Sequence, residues 1–189
     1  MIEDNNTISA TARLRLLLPY VGIPILITAF FILYVRQLSV YMTLLYVLMI
    51  AFGYVIAVTD LKTKKIPNRL ILAMFSVWVL IVFPLILINI DLAMGLIINS
   101  VVGMLIGGGV FLLVYIASRK GLGGGDVKFM AAAGLYIGFG QVIPAMLYGT
   151  VLAALTGITL MLFRKLTRKD TIPLAPFLYI GILLAIFWQ

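Results

Sequence analysis

Apolar residues in this chain run on for long stretches, and its polar residues are gathered into short gaps between them. Continuous apolar runs cover about 16–35, 40–58, 70–88 and 92–117, and a last one begins near Ile172 and reaches Trp188. A helix needs roughly 20 apolar residues to cross about 30 Å of hydrocarbon, so runs of this length predict membrane spans. The indole of Trp188 suits the membrane interface. The stretch 127–163 is long enough for one long span, or for two short ones joined at Gly138, Phe139, Gly140 and Gln141.

Charge decides between those two. With the N-terminus cytoplasmic and two spans in 127–163, every basic residue except Arg36 falls on the inner side. That set comprises Arg13, Arg15, Lys62, Lys64, Lys65, Arg69, Arg119, Lys120, Lys128, Arg164, Lys165, Arg168 and Lys169. A single span would throw the cluster at Arg164 to Lys169 to the outer face, against the positive-inside rule. The reading is therefore an all-α integral membrane protein of about seven transmembrane helices, N-terminus in and C-terminus out. Residues 1–15 form a short cytoplasmic tail and 16–189 a single polytopic domain, in which an extra first span at 16–35 precedes a six-helix core over 40–189. The first run is too long for the apolar core of a signal peptide, and no small-residue cleavage pattern follows it.

Composition agrees. Of 189 residues, 64% are hydrophobic and 11% charged, with a mean hydropathy of +1.22, whereas a soluble domain is about a quarter charged. The net charge of +8 sits in clusters between apolar runs, the pattern of membrane anchors and not of a nucleic-acid-binding face. Lysines near a cytoplasmic leaflet meet anionic lipid headgroups, and Lys62, Lys64, Lys65 and Lys128 are read this way. The absence of cysteine and histidine removes disulfides, thiol nucleophiles, Cys/His metal sites and His-dependent triads. No metal ligand set is expected. Glycines at four-residue spacing, Gly103 with Gly107 and Gly134 with Gly138, predict close helix packing.

So few ionisable groups remain that elimination is informative. Of the six acidic residues, Glu3 and Asp4 belong to the tail, Asp91 to an outer turn and Asp170 to a basic loop. Asp60 directly follows an apolar span, and Asp126 ends the run Gly121, Leu122, Gly123, Gly124, Gly125 and opens the next span. Both lie at the cytoplasmic membrane boundary on the topology above, and an ionisable residue at membrane depth is costly enough to mark a functional site. Two carboxylates brought together share a proton. The ionised member can take a proton from water as the water attacks a scissile carbonyl. The protonated member can hydrogen-bond the carbonyl oxygen. Asp60 ends a helix and Asp126 begins one, so the macrodipole predicts Asp60 as the more often protonated member. Gly123, Gly124 and Gly125 are expected to allow positive φ and close approach of a substrate backbone.

At these residues the chain resembles the type IV prepilin peptidases and archaeal preflagellin peptidases, within the wider G-x-G-D group of membrane aspartyl proteases. Asp60 with Ile66, Pro67 and Asn68 resembles the family's first-aspartate loop. The run from Gly121 through Asp126 to Lys128, continuing into Ala131, Ala132, Ala133 and Gly134, resembles its second-aspartate motif. Ile172, Pro173, Leu174, Ala175, Pro176 and Phe177 resemble the turn that opens its final helix. The resemblance implies Asp60 and Asp126 as the catalytic pair of an aspartic endopeptidase in a prokaryotic cytoplasmic (inner) membrane. It implies a prepilin-like or preflagellin-like substrate, cut after a glycine on the cytoplasmic side, with no cofactor for proteolysis. The Pro173 and Pro176 pair is either a helix-start signal or a means of freeing backbone groups for an extended substrate. Long members of the family carry paired Cys-x-x-Cys motifs after the first helix. This chain resembles the short forms, and it has no motif for or against N-methylation with S-adenosylmethionine. Two other classes compete, a proton-coupled small transporter and a structural membrane subunit, and oligomeric state is left open.

Overall fold

A computed structural model describes residues 38–118, 121–163 and 172–188, together with Gly22, Leu26 and Ala29. The expected tail, most of the expected first span, Arg36, Arg119, Lys120 and the cluster from Arg164 to Asp170 lie outside the described residues. Five helices account for nearly all of the rest: α1 (Val40–Thr63), α2 (Asn68–Ile88), α3 (Ile90–Ala117), α4 (Gly124–Leu162) and α5 (Ala175–Phe187). The first four are long and apolar enough to cross a membrane, whereas α5 is a shorter apolar helix of 13 residues. Pro173 and Pro176 account for its late start, because neither can donate to a helical turn and Pro173 disfavours helical geometry before it.

Local chemistry sets the helix ends. Ser39 caps α1, its Oγ accepting the Met42 N–H at 3.3 Å. The helix stops where Lys64 turns left-handed (φ 52°), with its N–H returned to Asp60 O at 2.7 Å. Asn89 both ends α2 and caps α3, accepting from Leu92 N–H at 3.0 Å. Only three polar or charged residues are buried among the described ones, Asp60, Ser100 and Asp126. The outer faces carry Leu72, Leu80, Leu87, Leu105, Leu113 and Leu162, all exposed. Such a surface is stable only against lipid, and helices are the form in which a backbone satisfies its own polar groups there.

The backbone of α4 leaves helical geometry at Gly138 (φ 72°, ψ 180°). A Cβ on Gly107 would lie 2.5 Å from Met130 O and 2.9 Å from Val142 Cγ2. Met130 precedes Gly138 and Val142 follows it, so the two arms of α4 fold back along the same helix, α3. The break thus falls at the first residue of the expected junction. Asn99 of α3 stabilises it: its Oδ1 accepts the Phe139 N–H at 3.1 Å, and its side chain occupies the space a Cβ at Gly138 would need.

The expected glycine packing is present. A Cβ at Gly103 would collide with Gly134 O, and one at Gly134 with Gly103 O, so α3 and the first arm of α4 meet backbone to backbone. A second glycine seam joins the other arm to α5, where a Cβ on Gly181 would lie 2.8 Å from Gly149 Cα. Tyr136 in the first arm donates its hydroxyl to Met74 O of α2 at 2.7 Å. Through these contacts α2, α3 and α5 fix the start of α4 beside the end of α1.

Candidate active site

Asp60 lies in the last turn of α1 and Asp126 in the first turn of α4. They are 5% and 9% exposed, the only charged residues buried among those described. Both line one cavity of about 330 Å³, together with Lys64, Lys65, Ile66, Asn68, Gly123, Gly124 and Gly125. The carboxylates are close enough to feel one another's charge. The structure therefore brings together the two aspartates that elimination singled out.

Each carboxylate is held by a backbone N–H at a helix start. Asp60 Oδ2 accepts from Ala175 N–H at 3.1 Å, and the Asp126 side chain folds back to accept from Gly123. This removes the basis for making Asp60 the more often protonated member. Asp60 does sit near the C-terminal end of α1, but its carboxylate is turned to the N-terminus of α5, where negative charge is favoured. The helix dipole no longer distinguishes the pair.

The glycine run also works differently from expectation. None of the three uses positive φ: Gly123 is extended (φ −73°, ψ 135°), Gly124 and Gly125 are helical, and Gly138 is the one glycine at positive φ among the described residues. Space is what matters at two of them. A Cβ on Gly123 would lie 2.7 Å from Asp126 Oδ2, and one on Gly125 would lie 3.1 Å from Ile66 Cβ, while Gly124 faces open space. No neighbouring atom within the chain thus holds position 124 to glycine.

Pro173 and Pro176 act as a helix start, with Pro176 in the first turn of α5. The helix-start reading and the freed-backbone reading meet here, because the N–H left at Ala175 is taken by Asp60 and not left open. Ala175 enters the sequence reading only as part of the turn that opens the last helix, and its backbone donor is a feature of the candidate site that the reading does not predict. Its one sequence signal is position, between two prolines at the head of an apolar helix. Asn68 was noted only as part of a motif; its Oδ1 accepts from Lys128 Nζ at 3.0 Å, tying the start of α2 to the first turn of α4. Lys128, expected as a lipid anchor, makes this bond, and Lys64 and Lys65 line the cavity wall. Among the described residues no three His, Cys, Asp or Glu side chains cluster. What the cavity offers is two buried carboxylates beside basic and amide groups.

The model of the type IV leader peptidase family matches residues 45–158, a range that includes both aspartates. The chain is 29% identical over 142 residues to a prepilin leader peptidase/N-methyltransferase of Bacillus subtilis (strain 168), covering 74% of this chain and 53% of the relative. It is 32% identical over 138 residues to the protein of that name from Escherichia coli (strain K12), covering 69% and 56%. It is also 32% identical over 143 residues to that of Pectobacterium carotovorum subsp. carotovorum, covering 71% and 47%. The chain spans about half the length of these relatives. No solved structure matches it. With the family model covering more than half of the chain, this protein belongs to the type IV leader peptidase family.

Proposed function

We propose that the chain is a membrane aspartic endopeptidase that removes the leader peptide of prepilin-like precursors at the cytoplasmic face of a prokaryotic inner membrane. The observation that carries this is the meeting of Asp60 and Asp126, from the end of one apolar helix and the start of another, on one cavity. One carboxylate, ionised, takes a proton from water as it attacks the scissile carbonyl carbon. The other, protonated, donates a hydrogen bond to the carbonyl oxygen and then supplies the proton to the departing amine. The pair needs no cofactor for this. The reading concerns the peptidase; N-methyl transfer with S-adenosylmethionine is named for the relatives and is not extended to this chain.

The same reading places seven spans in the bilayer, with 16–35 as an extra first span before a six-helix core over 40–189. Its support is that the arms of α4 run in opposite directions and that Lys64, Lys65 and Lys128 gather at the end of the bundle bearing the aspartates. That end is then the cytoplasmic one, with the N-terminus in. Against a transporter, both aspartates sit at one end of the helices and not midway along them. Against a structural subunit, two buried carboxylates facing one cavity are costly without a reaction to perform. The test is to incubate the purified chain in liposomes with a prepilin-like precursor and map the products by mass spectrometry. A single cut on the leader side of the precursor's apolar segment is expected. No cut across several leaders and lipid compositions would overturn the reading.

A further inference from the structure

A second cavity, an apolar groove of about 460 Å³, lies between α3 and the second arm of α4. Phe111 and Val114 form one wall, Met146 and Thr150 the other, and Leu122 and Leu174 close it at the end where the catalytic loops are. Its one polar lining side chain is already satisfied, since Thr150 Oγ1 donates to Met146 O at 2.7 Å. The groove therefore offers no free hydrogen-bond donor from a lining side chain. A polar peptide placed in it would lose its water and find no side-chain donor and at most one hydroxyl oxygen, while an apolar one would gain by burial.

The groove's closed end is joined to the site by single peptide links. Leu122 precedes Gly123, whose N–H holds Asp126, and Leu174 precedes Ala175, whose N–H holds Asp60. The neighbouring catalytic cavity has the opposite character, with Lys64, Lys65 and Asn68 in its wall. A chain lying across both would be polar in one part and apolar in the next, with the carboxylates at the junction.

We infer that this groove seats an apolar, membrane-embedded segment of the substrate polypeptide immediately beside the bond to be cut. The inference rests on the proteolytic reading and deepens it: the groove recognises the apolar side of the substrate, and the basic cavity its polar side. The competing occupant is a lipid acyl chain.

The sequence contains no cysteine, so an engineered one is a unique reporter. In the Asp126→Asn chain, which holds the precursor uncut, Thr150→Cys reports on the groove and Lys65→Cys on the catalytic cavity. Each is paired, through a bifunctional maleimide in liposomes, with a precursor carrying one cysteine in its apolar or its polar part. Cross-links from Thr150→Cys to the apolar part and from Lys65→Cys to the polar part are expected. A cross-link from Lys65→Cys alone would overturn the inference, leaving the groove to lipid and the proteolytic reading intact. No cross-link from either would show that the precursor does not bind, which overturns both. In the otherwise native chain, Thr150→Trp is expected to raise KM for the precursor about tenfold with kcat held. An unchanged KM would also count against the groove.

Discussion

The backbone N–H of Ala175 donates to Asp60 Oδ2 at 3.1 Å, joining the head of α5 to the last turn of α1 across 115 positions of sequence. A carboxylate of the proposed catalytic pair is thereby oriented by a donor that no side-chain substitution removes directly. The donor is free because the chain around it cannot complete a helical turn. Pro173 and Pro176 flank its immediate surroundings, and Leu174 is the cap residue that precedes α5.

Replacing both prolines is therefore expected to matter through Ala175. In Pro173→Ala/Pro176→Ala, α5 can extend backwards and draw the Ala175 N–H into a helical bond, releasing Asp60. A fall of about ten- to a hundredfold in kcat with unchanged folded yield is expected, the scale of losing one hydrogen bond to a charged group. Steady-state cleavage kinetics of purified variants check it, and unchanged kcat would show that the turn does not set Asp60.

The glycine run gives a contrast within three residues. Gly123→Ala puts a Cβ 2.7 Å from Asp126 Oδ2, while Gly124→Ala meets nothing within 4 Å. The backbone of Gly123 is extended and tolerates alanine, so the effect falls on the carboxylate and not on the fold. Cleavage is expected to drop about a hundredfold in Gly123→Ala, as for an ångström-scale misplacement of a catalytic group. Gly124→Ala is expected to stay within about twofold of the native chain, the scale of a surface substitution that touches nothing. Comparable losses in both would mean that the run acts by flexibility.

A second glycine contrast tests the reversal in α4. Gly138 sits at φ 72° with the Asn99 side chain where a Cβ would be, and Gly140 has open space. Gly138→Ala is expected to destabilise the protein by about 1–3 kcal/mol from backbone strain alone, with Gly140→Ala near neutral. Asn99→Ala leaves the Phe139 N–H without its partner and is expected to cost a similar amount. Unfolding in mixed micelles followed by circular dichroism measures all three.

Tyr136→Phe removes the hydroxyl bonded to Met74 O at 2.7 Å. The ring and its edge contact with Phe52, at 6.3 Å between centroids, remain. A loss of about 1 kcal/mol is expected, the usual scale of a hydrogen bond between membrane helices. Activity per folded molecule should be unchanged, because α2 rather than the cavity of the two aspartates loses the contact.

Much of the site was legible because of what surrounds it. Asp60 and Asp126 stand out as ionisable groups at the ends of apolar runs, where the cost of burial makes an idle carboxylate improbable. Gly103 and Gly134 were legible as packing residues by spacing, and the break at Gly138 by the need to keep basic residues on one side. The contribution of Ala175 was not, since a backbone donor carries no residue signature. Nor was the difference between Gly123 and Gly124, which arises only when the Asp126 side chain folds back on its own helix start. The role of Asn99 was hidden for a related reason, its partner Phe139 lying 40 positions away. The bond of Lys128 to Asn68 was hidden likewise, since its partner lies 60 positions off on another helix.

The most direct test of the account is cleavage of a prepilin-like precursor in liposomes by the native chain, Asp60→Asn and Asp126→Asn, each normalised to folded yield. Asparagine keeps the shape of the side chain and removes its proton exchange, so a structural role would survive or appear as lost protein. The account predicts cleavage by the native chain and a loss of about a thousandfold or more in each variant, with the double variant no worse than either. Cleavage surviving in a folded Asp60→Asn or Asp126→Asn chain would contradict it.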